Sequence, residues 1–341
     1  MALYNIRKVR SDEVDRLQSF LDNYWKKEHS LAKSKALLNW QHLNKEDNTY
    51  NFFIAENTET NEFDALIGYI PLSQYDKSLE TEGNYWGAIW KIRADISNNE
   101  INSAGFFLFK KLLKLPDFQS YAAIGISDIA KSIYQISRIP VSYLKQYYLL
   151  NNTISDYKIA NIFEKPIINS LPDTGHLEWK DSIDWNSIDL DAYYKPLKSK
   201  EYFKNRYSLH PIYKYNFIKI HNDIGDLVAI LSCRKICIGN FSIIRIVDVL
   251  GKLEGRYYNE FQRILAEQNA EYIDFMNFGI ESSVFKDMGF TELDIEGKNI
   301  IPNYFEPFER RNVLVEIAYK SIYSDYVAFK ADSDQDRPNI L

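Results

Sequence analysis

The chain has 341 residues, of which 45% are hydrophobic and 26% charged, and its formal net charge at pH 7 is −6. This length favours two domains, and 25 Tyr with 20 Phe supply the bulk for large cores, which excludes a disordered chain. Charges of both signs are interspersed, so the sequence offers no basic surface for nucleic acid or anionic lipid. Without a signal-like start or an uncharged run of about 18 residues, we expect a cytoplasmic protein with no membrane insertion.

The cysteines and histidines do not show the spacing of a metal site. Cys233 and Cys237 stand four residues apart in a strand-like run that lacks the second ligand pair of a zinc site, and we expect two buried free thiols. The histidines are spread along the chain: they are His29, His42, His176, His210 and His221. The sequence therefore predicts no metal ion.

The first 71 residues predict strands and short helices. In chain order, the predicted elements are an edge strand at 3–10, a helix at 11–25, a second helix capped by Ser34, and a hairpin of strands at 50–56 and 63–71. An acidic loop follows at residues 74–84.

Residues 86–140 hold the first functional signal. Residues 86–96 alternate and are rich in aromatic and β-branched side chains, residues 98–104 are small and polar, and residues 105–115 carry apolar side chains at helical spacing. A second strand and a second helix follow. At a small-residue turn that opens a helix, backbone N–H groups and the helix dipole hold phosphate groups. The pattern predicts a phosphate-bearing ligand, although any strand–helix–strand unit contains such a turn.

The character of the sequence changes after one more predicted strand at 141–151, because polar residues without periodicity run to residue 186. We place the domain junction there, with domains at 1–150 and 186–330, a linker at 151–185 and a polar tail at 331–341. The elements predicted for the second half are a helix at 199–207, strands at 213–221, 227–236 and 241–249, a helix at 260–268, a strand at 272–277, a short helix at 282–288 and a strand at 312–319.

The order of elements repeats in the two halves. SIYQISRI at residues 132–139 aligns without a gap with SVFKDMGF at residues 283–290, at an offset of 151 residues. Strand, helix, strand and short helix recur around both segments, as duplication of one α/β domain would produce.

The duplicated pattern resembles the GCN5-related N-acetyltransferase (GNAT) superfamily in tandem. In that family a Q/R-x-x-G-x-G/A turn binds the acetyl-CoA pyrophosphate at the start of a helix, and a later helix carries a Tyr before a terminal Gly-Phe. The first half has Glu100-x-x-Ser103-x-Gly105 and then Tyr134. Glu100 replaces the Gln or Arg and Ser103 replaces a Gly. The second half has MGF at residues 288–290 but neither the turn nor the Tyr.

The resemblance implies an α/β (α+β) fold of two tandem GNAT-like domains, each a mixed, mostly antiparallel twisted sheet flanked by helices. It further implies that acetyl-CoA, as acyl donor, binds the first domain, and that the second domain is a degenerate copy that holds the substrate.

The whole chain also resembles two-domain GNAT-like enzymes that occur with bacterial surface-polysaccharide (O-antigen) genes and acetylate the amino group of a nucleotide-linked sugar. The stretches that carry this likeness include NYWKKEHSLAKSKALLNWQ, WGAIWKIRAD, RYSLHPIYKY, RIVDVLG and IPNYFEPF. We therefore expect an N-acetyltransferase, monomeric or dimeric, with a UDP- or dTDP-linked amino sugar in the interdomain cleft.

Two other functions fit the same pattern. One is a tandem GNAT that uses aminoacyl-tRNA to extend peptidoglycan, although the acidic net charge argues against tRNA. The other is a degenerate pair that binds a ligand or partner without catalysis.

The family resemblance also suggests catalytic roles. Tyr134 is where the family places the hydroxyl that protonates the CoA sulfur, and a backbone N–H in residues 91–95 polarises the thioester carbonyl. His29 and Asp248 are the first candidates for the base. Each residue also has a structural interpretation: Tyr134 as a packed core aromatic, His29 as an ordinary loop histidine, and Asp248 as a carboxylate paired with Arg245. The predicted acetyl-CoA residues are Ile92, Arg93, Ala94, Ser103, Ala104, Gly105, Phe106 and Tyr134.

The predicted acceptor site lies mostly in the second half. Guanidinium groups match diphosphate oxygens, and the proline-bracketed aromatic segment 301–308 is suited to stack a base or sugar. The structural alternatives are ordinary ion pairs for the arginines and a packed loop for segment 301–308. His210 is a third candidate base, or it shapes the turn before Pro211. The predicted substrate-binding residues are Trp40, Arg206, His210, Arg234, Arg245, Asn303, Tyr304 and Glu306.

Overall fold

A computed structural model of the chain describes residues 3–96, 99–168 and 171–336. The chain forms two compact units. The first unit contains residues 3–124 with Tyr319–Ile322, and the second contains Gly125–Ala318 with Tyr323–Asp336. Among the described residues, no helix is long and apolar enough to cross a membrane.

The first unit is built on one sheet. Its strands are β1 (Tyr4–Arg10), β2 (Leu43–Asn44), β3 (Thr49–Asn57), β4 (Phe63–Pro71), β5 (Asn84–Ile92) and β6 (Ser120–Ile124). Its helices are α1 (Val14–Phe20), α2 (Ser30–Lys33), α3 (Lys35–His42) and α4 (Asn99–Leu112). The strands pair in the order β1, β3, β4, β5 and β6, and the ladders from β1 to β5 are antiparallel, whereas β5 and β6 are parallel.

Local chemistry explains the helices of the first unit. The Ser34 hydroxyl accepts the Leu37 N–H at 3.1 Å, which confirms the predicted cap at the start of α3. Residues 11–25 are helical as predicted, with a 3-10 turn before α1 and a π turn after it. The helix α4 begins at Asn99 rather than at residue 105, because the apolar spacing already starts at the buried Ile101. The predicted turn at 98–104 is therefore largely helical, and its residue 98 lies outside the described residues.

The second unit has a larger sheet. Its strands are β7 (Val141–Leu150), β8 (Gly175–Lys180), β9 (Asn216–Asn222), β10 (Leu227–Ile238), β11 (Phe241–Gly251), β12 (Ala270–Phe278), β13 (Thr291–Glu292), β14 (Tyr304–Phe305), β15 (Phe308–Glu309), β16 (Val315–Ser321, whose last residues belong to the first unit) and β17 (Ala328–Phe329). Its helices are α5 (Asp128–Ile136), α6 (Lys200–Phe203), α7 (Tyr258–Glu267) and α8 (Ser282–Asp287).

The strands of the second unit pair in the order β7, β12, β11, β10, β9 and β8, with β11 and β12 parallel and the other ladders antiparallel. One face of this sheet packs on α7 and α8 through a core that includes Ile244, Phe261, Ile273, Phe285 and Met288. The predicted fold class is confirmed, since each unit has a mixed, mostly antiparallel sheet flanked by helices.

The two segments aligned by sequence end their helices in the same way. The Ile139 N–H bonds to the Tyr134 carbonyl at 2.9 Å, and the Phe290 N–H bonds to the Phe285 carbonyl at 2.8 Å. The residue before each has a left-handed backbone, with φ +58° at Arg138 and +97° at Gly289. The offset of 151 residues thus aligns two equivalent helix ends.

Several boundaries differ from the sequence expectations. The compact units divide after Ile124 rather than at residue 150, because α5 and β7 lie in the second unit. The proposed linker 151–185 contains β8, and residues 331–336 of the proposed tail are part of the second unit, whereas residues 337–341 lie outside the described residues. Cys233 is buried as expected, but Cys237 is exposed. The assignment of acetyl-CoA and substrate to separate domains stays a prediction.

Candidate functional site

The parallel strands β5 and β6 separate in the first unit. They pair only from Asn84 to Trp86 on β5, and among the described strands none pairs with the rest of β5 on that side. The strand β5 also carries a bulge, because Gly68 of β4 faces both Ala88 and Ile89. A bulge redirects backbone groups and interrupts the ladder. The end of β5 therefore presents main-chain groups that the described strands on that side do not bind.

The helix α4 packs closely on the end of β5. A Cβ on Gly105 would lie 2.4 Å from Ile92 Cδ1, so a larger residue at this position would require the Ile92 side chain to shift. Arg93 is held by Asp64 at 3.1 Å and by Asp95 at 2.8 Å, and its guanidinium lies 4.5 Å from the Tyr24 ring centroid. The other predicted acetyl-CoA residues of this unit lie just after β5 or on α4: they are Ala94, exposed after the strand, and Ser103, Ala104 and Phe106 of α4, which are exposed, buried and half-buried.

The equivalent strand pair of the second unit is closed. The strands β11 and β12 are also parallel, and β11 also has a bulge, at Val247. Here β17 pairs with the end of β12, and the Ala331 N–H donates to the Val247 carbonyl at 3.0 Å. The segment around β17 therefore occupies the position beside β11 that is unpaired beside β5.

The helix that follows β11 is capped by the chain itself. The Asp173 carboxylate accepts the Asn259 N–H at 3.3 Å and the Glu260 N–H at 3.0 Å at the start of α7. A carboxylate at a helix N-terminus takes the place that an anionic ligand would have. In the second unit, its own residues therefore occupy both the space between the separating strands β11 and β12 and the N-terminus of α7.

The predicted catalytic residues lie in different surroundings. His29 is 3% exposed in the first unit, and its Nδ1 accepts the Leu31 N–H at 3.3 Å at the start of α2. Tyr134 is 2% exposed on α5, in the second unit, whereas the other predicted acetyl-CoA residues lie in the first. Both roles stay predictions.

Asp248 is fully buried, and its partner is Lys198 rather than Arg245. Lys198 Nζ lies 2.9 Å from both carboxylate oxygens, Tyr207 donates at 2.6 Å and the Val249 N–H at 2.8 Å. Burial alone would lower the pKa of Lys198, but the negative charges of Asp248 and Asp332 raise that pKa above its usual value. Because four donor contacts fill its acceptor positions, this geometry favours a structural role for Asp248.

A polar row crosses the face of the second sheet opposite the core of α7 and α8. Arg245 of β11 donates to Asp274 of the neighbouring β12 at 2.6 and 2.9 Å, and Gln146 of β7 donates to the same carboxylate at 3.0 Å. All three side chains are buried. The expected alternative, Arg245 paired with Asp248, is wrong because each has another ion-pair partner: Arg245 pairs with Asp274 and Asp248 pairs with Lys198.

Asn303 joins this row with an unsatisfied side chain. Arg245 donates to the Asn303 main-chain carbonyl at 2.8 Å, and its guanidinium lies 5.0 Å from the Phe305 ring centroid. Asn303 is 3% exposed, yet neither of its amide side-chain atoms, nor Gln146 Oε1, has a hydrogen-bond partner among the described residues. Buried polar atoms without partners mark a position for a ligand or an ordered water.

Arg234 lies on this face and, among the described residues, forms no ion pair with a carboxylate. Its Nη1 donates to the Asp336 main-chain carbonyl at 2.7 Å, and its guanidinium lies 5.1 Å from the Tyr213 ring centroid. Burial raises the pKa of the nearby Glu306 carboxyl, and the positive charge of Arg234 opposes part of this rise. Arg206 instead forms a buried ion pair with Asp336 at 2.8 Å, so its charge is neutralised within the unit.

The remaining predicted substrate residues are dispersed. His210 Nδ1 accepts the N–H groups of Ile212 and Tyr213, which fits the expected turn before β9. Tyr304 is 37% exposed on β14. Trp40 lies in the first unit, half-buried, with its ring centroid 4.9 Å from that of Tyr75.

Lys330 belongs to the polar face and was not expected from the sequence. It is 3% exposed, and burial together with the nearby Arg245 lowers its pKa to about 7. Its neighbours in sequence, at the start of the proposed polar tail, gave no sign of burial. The expectation of dispersed histidines also fails at one place, because the pairing of β8 with β9 brings His176 beside His221.

Sequence comparison gives no relative: no protein-family model matches the chain, and no curated protein matches it. Solved structures are similar in fold. A GCN5-related N-acetyltransferase from Anabaena variabilis aligns with a TM-score of 0.54 and 9% identity over 94% of this chain and 73% of that chain. A conserved protein of unknown function from Enterococcus faecalis, described as a probable N-acyltransferase, aligns with a TM-score of 0.55 and 8% identity over the same shares. The chain has the GNAT fold, and at these identities the likeness concerns the fold alone.

Proposed function

We propose that this protein is an N-acetyltransferase that takes its acyl group from acetyl-CoA, bound by the first unit, and transfers it to the amino group of a nucleotide-linked sugar bound by the second. The observation that carries the proposal is the asymmetry between the two units. The bulged strand β5 is unpaired beyond Trp86, whereas the segment around β17 and the Asp173 cap occupy the equivalent positions of the second unit. This supports one acyl-donor site per chain, in the first unit.

The polar face of the second unit supports an acceptor that carries phosphate and hydroxyl groups. Arg234 offers a guanidinium group that forms no ion pair among the described residues, and guanidinium forks match phosphate oxygens. The buried Asn303 amide offers both a donor and an acceptor. A small number of convergent polar groups beside aromatic rings is typical of a ligand site.

Acetyl transfer to an amine requires two proton transfers: a base takes a proton from the acceptor nitrogen, and an acid gives a proton to the leaving thiolate. The acceptor nitrogen bonds to the thioester carbonyl carbon as the carbon–sulfur bond breaks, the ammonium formed loses a proton to a base, and the thiolate gains one. We assign the second transfer to Tyr134. For the base, Lys330 joins His29 as a candidate, because a pKa of about 7 suits proton transfer near neutral pH.

A thiol-release assay with acetyl-CoA and a panel of UDP- and dTDP-linked amino sugars tests the proposal. We expect turnover with at least one sugar, and an Arg234→Met variant should raise the acceptor KM at least 10-fold without changing the KM for acetyl-CoA. The matched control is Lys235→Met, the next and exposed residue of β10, which should behave as the parent protein.

Three results would reject the proposal. If calorimetry detects no acetyl-CoA binding to folded protein, the donor assignment fails. A salt-dependent complex with tRNA would instead favour an aminoacyl-tRNA-dependent transferase. Acetyl-CoA binding without turnover on any amino sugar would favour a non-catalytic binding role.

A further inference from the structure

Strands β8 and β9 bring two histidines and a glutamate together at the edge of the second unit. His176 and His221 are paired across the two strands, and their rings stack with centroids 4.5 Å apart and planes 3° apart. Glu178 is two residues further along β8, on the same face of the strand. One ligand atom from each of the three side chains lies within 4.8 Å of the other two.

The ring of His221 is oriented for metal binding. Its Nδ1 lies 3.1 Å from the Gly225 carbonyl, and because a carbonyl only accepts, Nδ1 carries the proton. Nε2 then has a free lone pair. This atom is buried, has no hydrogen-bond partner among the described residues, and lies 4.0 Å from Glu178 Oε2. Metal-binding histidines have this arrangement, in which the second ring nitrogen donates to a backbone carbonyl.

The backbone beneath the cluster is closely packed. A Cβ on Gly175 would lie only 1.9 Å from the His221 carbonyl oxygen, so glycine lets the two strands approach at this point. Glu178 has an exposed ion pair with Lys180 at 3.1 Å. Such a surface pair contributes little to stability, and a metal ion can replace it.

We propose that His176, Glu178 and His221 form a binding site for a divalent transition-metal ion such as Zn²⁺. Imidazole and carboxylate ligands suit zinc, and three protein ligands leave further positions to water. Two ligand atoms on one tetrahedral zinc ion are about 3.4 Å apart. The three ligand atoms lie within 4.8 Å of one another, and rotation of the exposed His176 side chain can bring its ligand atom closer to the other two. The bound ion would fasten β8, the last strand in the pairing order of the second sheet, to β9.

Zinc titration of the full chain, without a histidine tag and freed of metal by a chelator, tests this site. Calorimetry should show one Zn²⁺ per chain, and added Zn²⁺ should raise the unfolding temperature. We expect His176→Ala and His221→Ala to weaken zinc binding at least 10-fold. The control is His210→Ala, whose imidazole lies outside the cluster and whose variant should bind zinc as the parent does.

A spectroscopic measurement separates loss of the site from loss of the fold. Co²⁺ in the site should give visible absorption bands that disappear in His176→Ala, an exposed substitution whose circular dichroism should match the parent spectrum. The proposal is overturned if micromolar Zn²⁺ does not saturate the parent protein, or if His210→Ala weakens binding as much as the two cluster variants do.

Discussion

At the scale of single residues, the amide side chains of Asn303 and Asn312 make a useful contrast. Asn312 is half-buried and fully used: its Oδ1 accepts the Ile301 N–H at 3.0 Å, and its Nδ2 donates to the carbonyls of Ile295 and Asn299. Asn303 is more buried, but its side chain has no partner among the described residues. A polar side chain that stabilises nothing within the fold is better explained by a ligand than by packing.

We predict opposite effects for the two alanine variants. Asn303→Ala should change the free energy of unfolding by less than about 1 kcal/mol and raise the acceptor KM, because no internal hydrogen bond is lost. Asn312→Ala should lose about 2 to 3 kcal/mol and leave the acceptor KM unchanged, because it strands three main-chain groups. Denaturant titration and steady-state kinetics measure both. If Asn303→Ala leaves the acceptor KM unchanged, Asn303 does not contact the acceptor.

Lys330 should make stability depend on pH. Its pKa falls from 10.5 in the unfolded chain to about 7 in the fold, so between these values the unfolded chain binds more protons and stability rises with pH. Below pH 7 the lysine is charged in both states, and the cost of burying the charge is fully present. Lys330→Met should therefore add about 2 to 3 kcal/mol at pH 6, with a gain that shrinks towards pH 10.

Urea denaturation of Lys330→Met at pH 6 and pH 9.5 measures this effect. The exposed Lys235→Met variant is the control and should show no pH-dependent gain. A gain of equal size at both pH values would mean that Lys330 is not deprotonated in the fold and that the methionine acts through packing alone.

At the scale of elements, the helix ends of α5 and α8 differ only in how well their residues suit one conformation. Both need a left-handed residue, which Gly289 provides without strain and Arg138 provides at a cost. Arg138 is exposed, so its side chain adds no buried contact. A Cβ on Gly289 would also lie 2.9 Å from Tyr258 Cβ.

Exchanging the two residues should change stability in opposite directions. Arg138→Gly should add about 0.5 to 1 kcal/mol, since the relief of strain exceeds the extra entropy of glycine in the unfolded chain. Gly289→Arg should cost at least about 1 to 2 kcal/mol. Chemical denaturation compares the two variants with the parent, and a change of the same sign in both would contradict the equivalence of the helix ends.

Charges in the apolar runs of β11 and β12 indicate that each needs a buried partner. Arg245 lies in the run FSIIRIVDVLG and Asp274 in AEYIDFMNF, each among apolar residues. A charge placed in a buried strand requires a partner, and the parallel pairing of β11 with β12 puts these two residues side by side. The need for a partner was readable from the sequence, whereas its identity depended on strand order.

At the scale of the whole molecule, the two copies of one pattern have diverged in how they close the gap between their parallel strands. The segment around β17 is far from β11 in sequence but bonds to it, and Asp173 caps α7 from the region proposed as a linker. The divergence therefore came from segments outside the repeated elements.

We predict that each chain binds one molecule of acetyl-CoA. Calorimetric titration of the full chain should give a stoichiometry of one, because the second unit fills its own strand gap and helix N-terminus. Coenzyme A should compete for the same site. A stoichiometry of two would show that β17 and Asp173 do not block the second unit.

The sequence by itself determined most of the elements and the repeat, because the apolar spacing of strands and helices and the capping residues act over a few neighbours, and the fold class followed from the resemblance of the repeated pattern to a known superfamily. Ser34, the β3–β4 hairpin and the aligned helix ends were readable in this way. Only the tertiary structure decided which charges pair, which amides stay unpaired and which strand gap is filled. Those outcomes depend on contacts between residues far apart in the chain, as with Lys198 and Asp248, or His176 and His221. The segment 86–140 suggested an acyl-donor site. Because β17 and Asp173 occupy the equivalent positions of the second unit, the structure supports a donor site in the first unit.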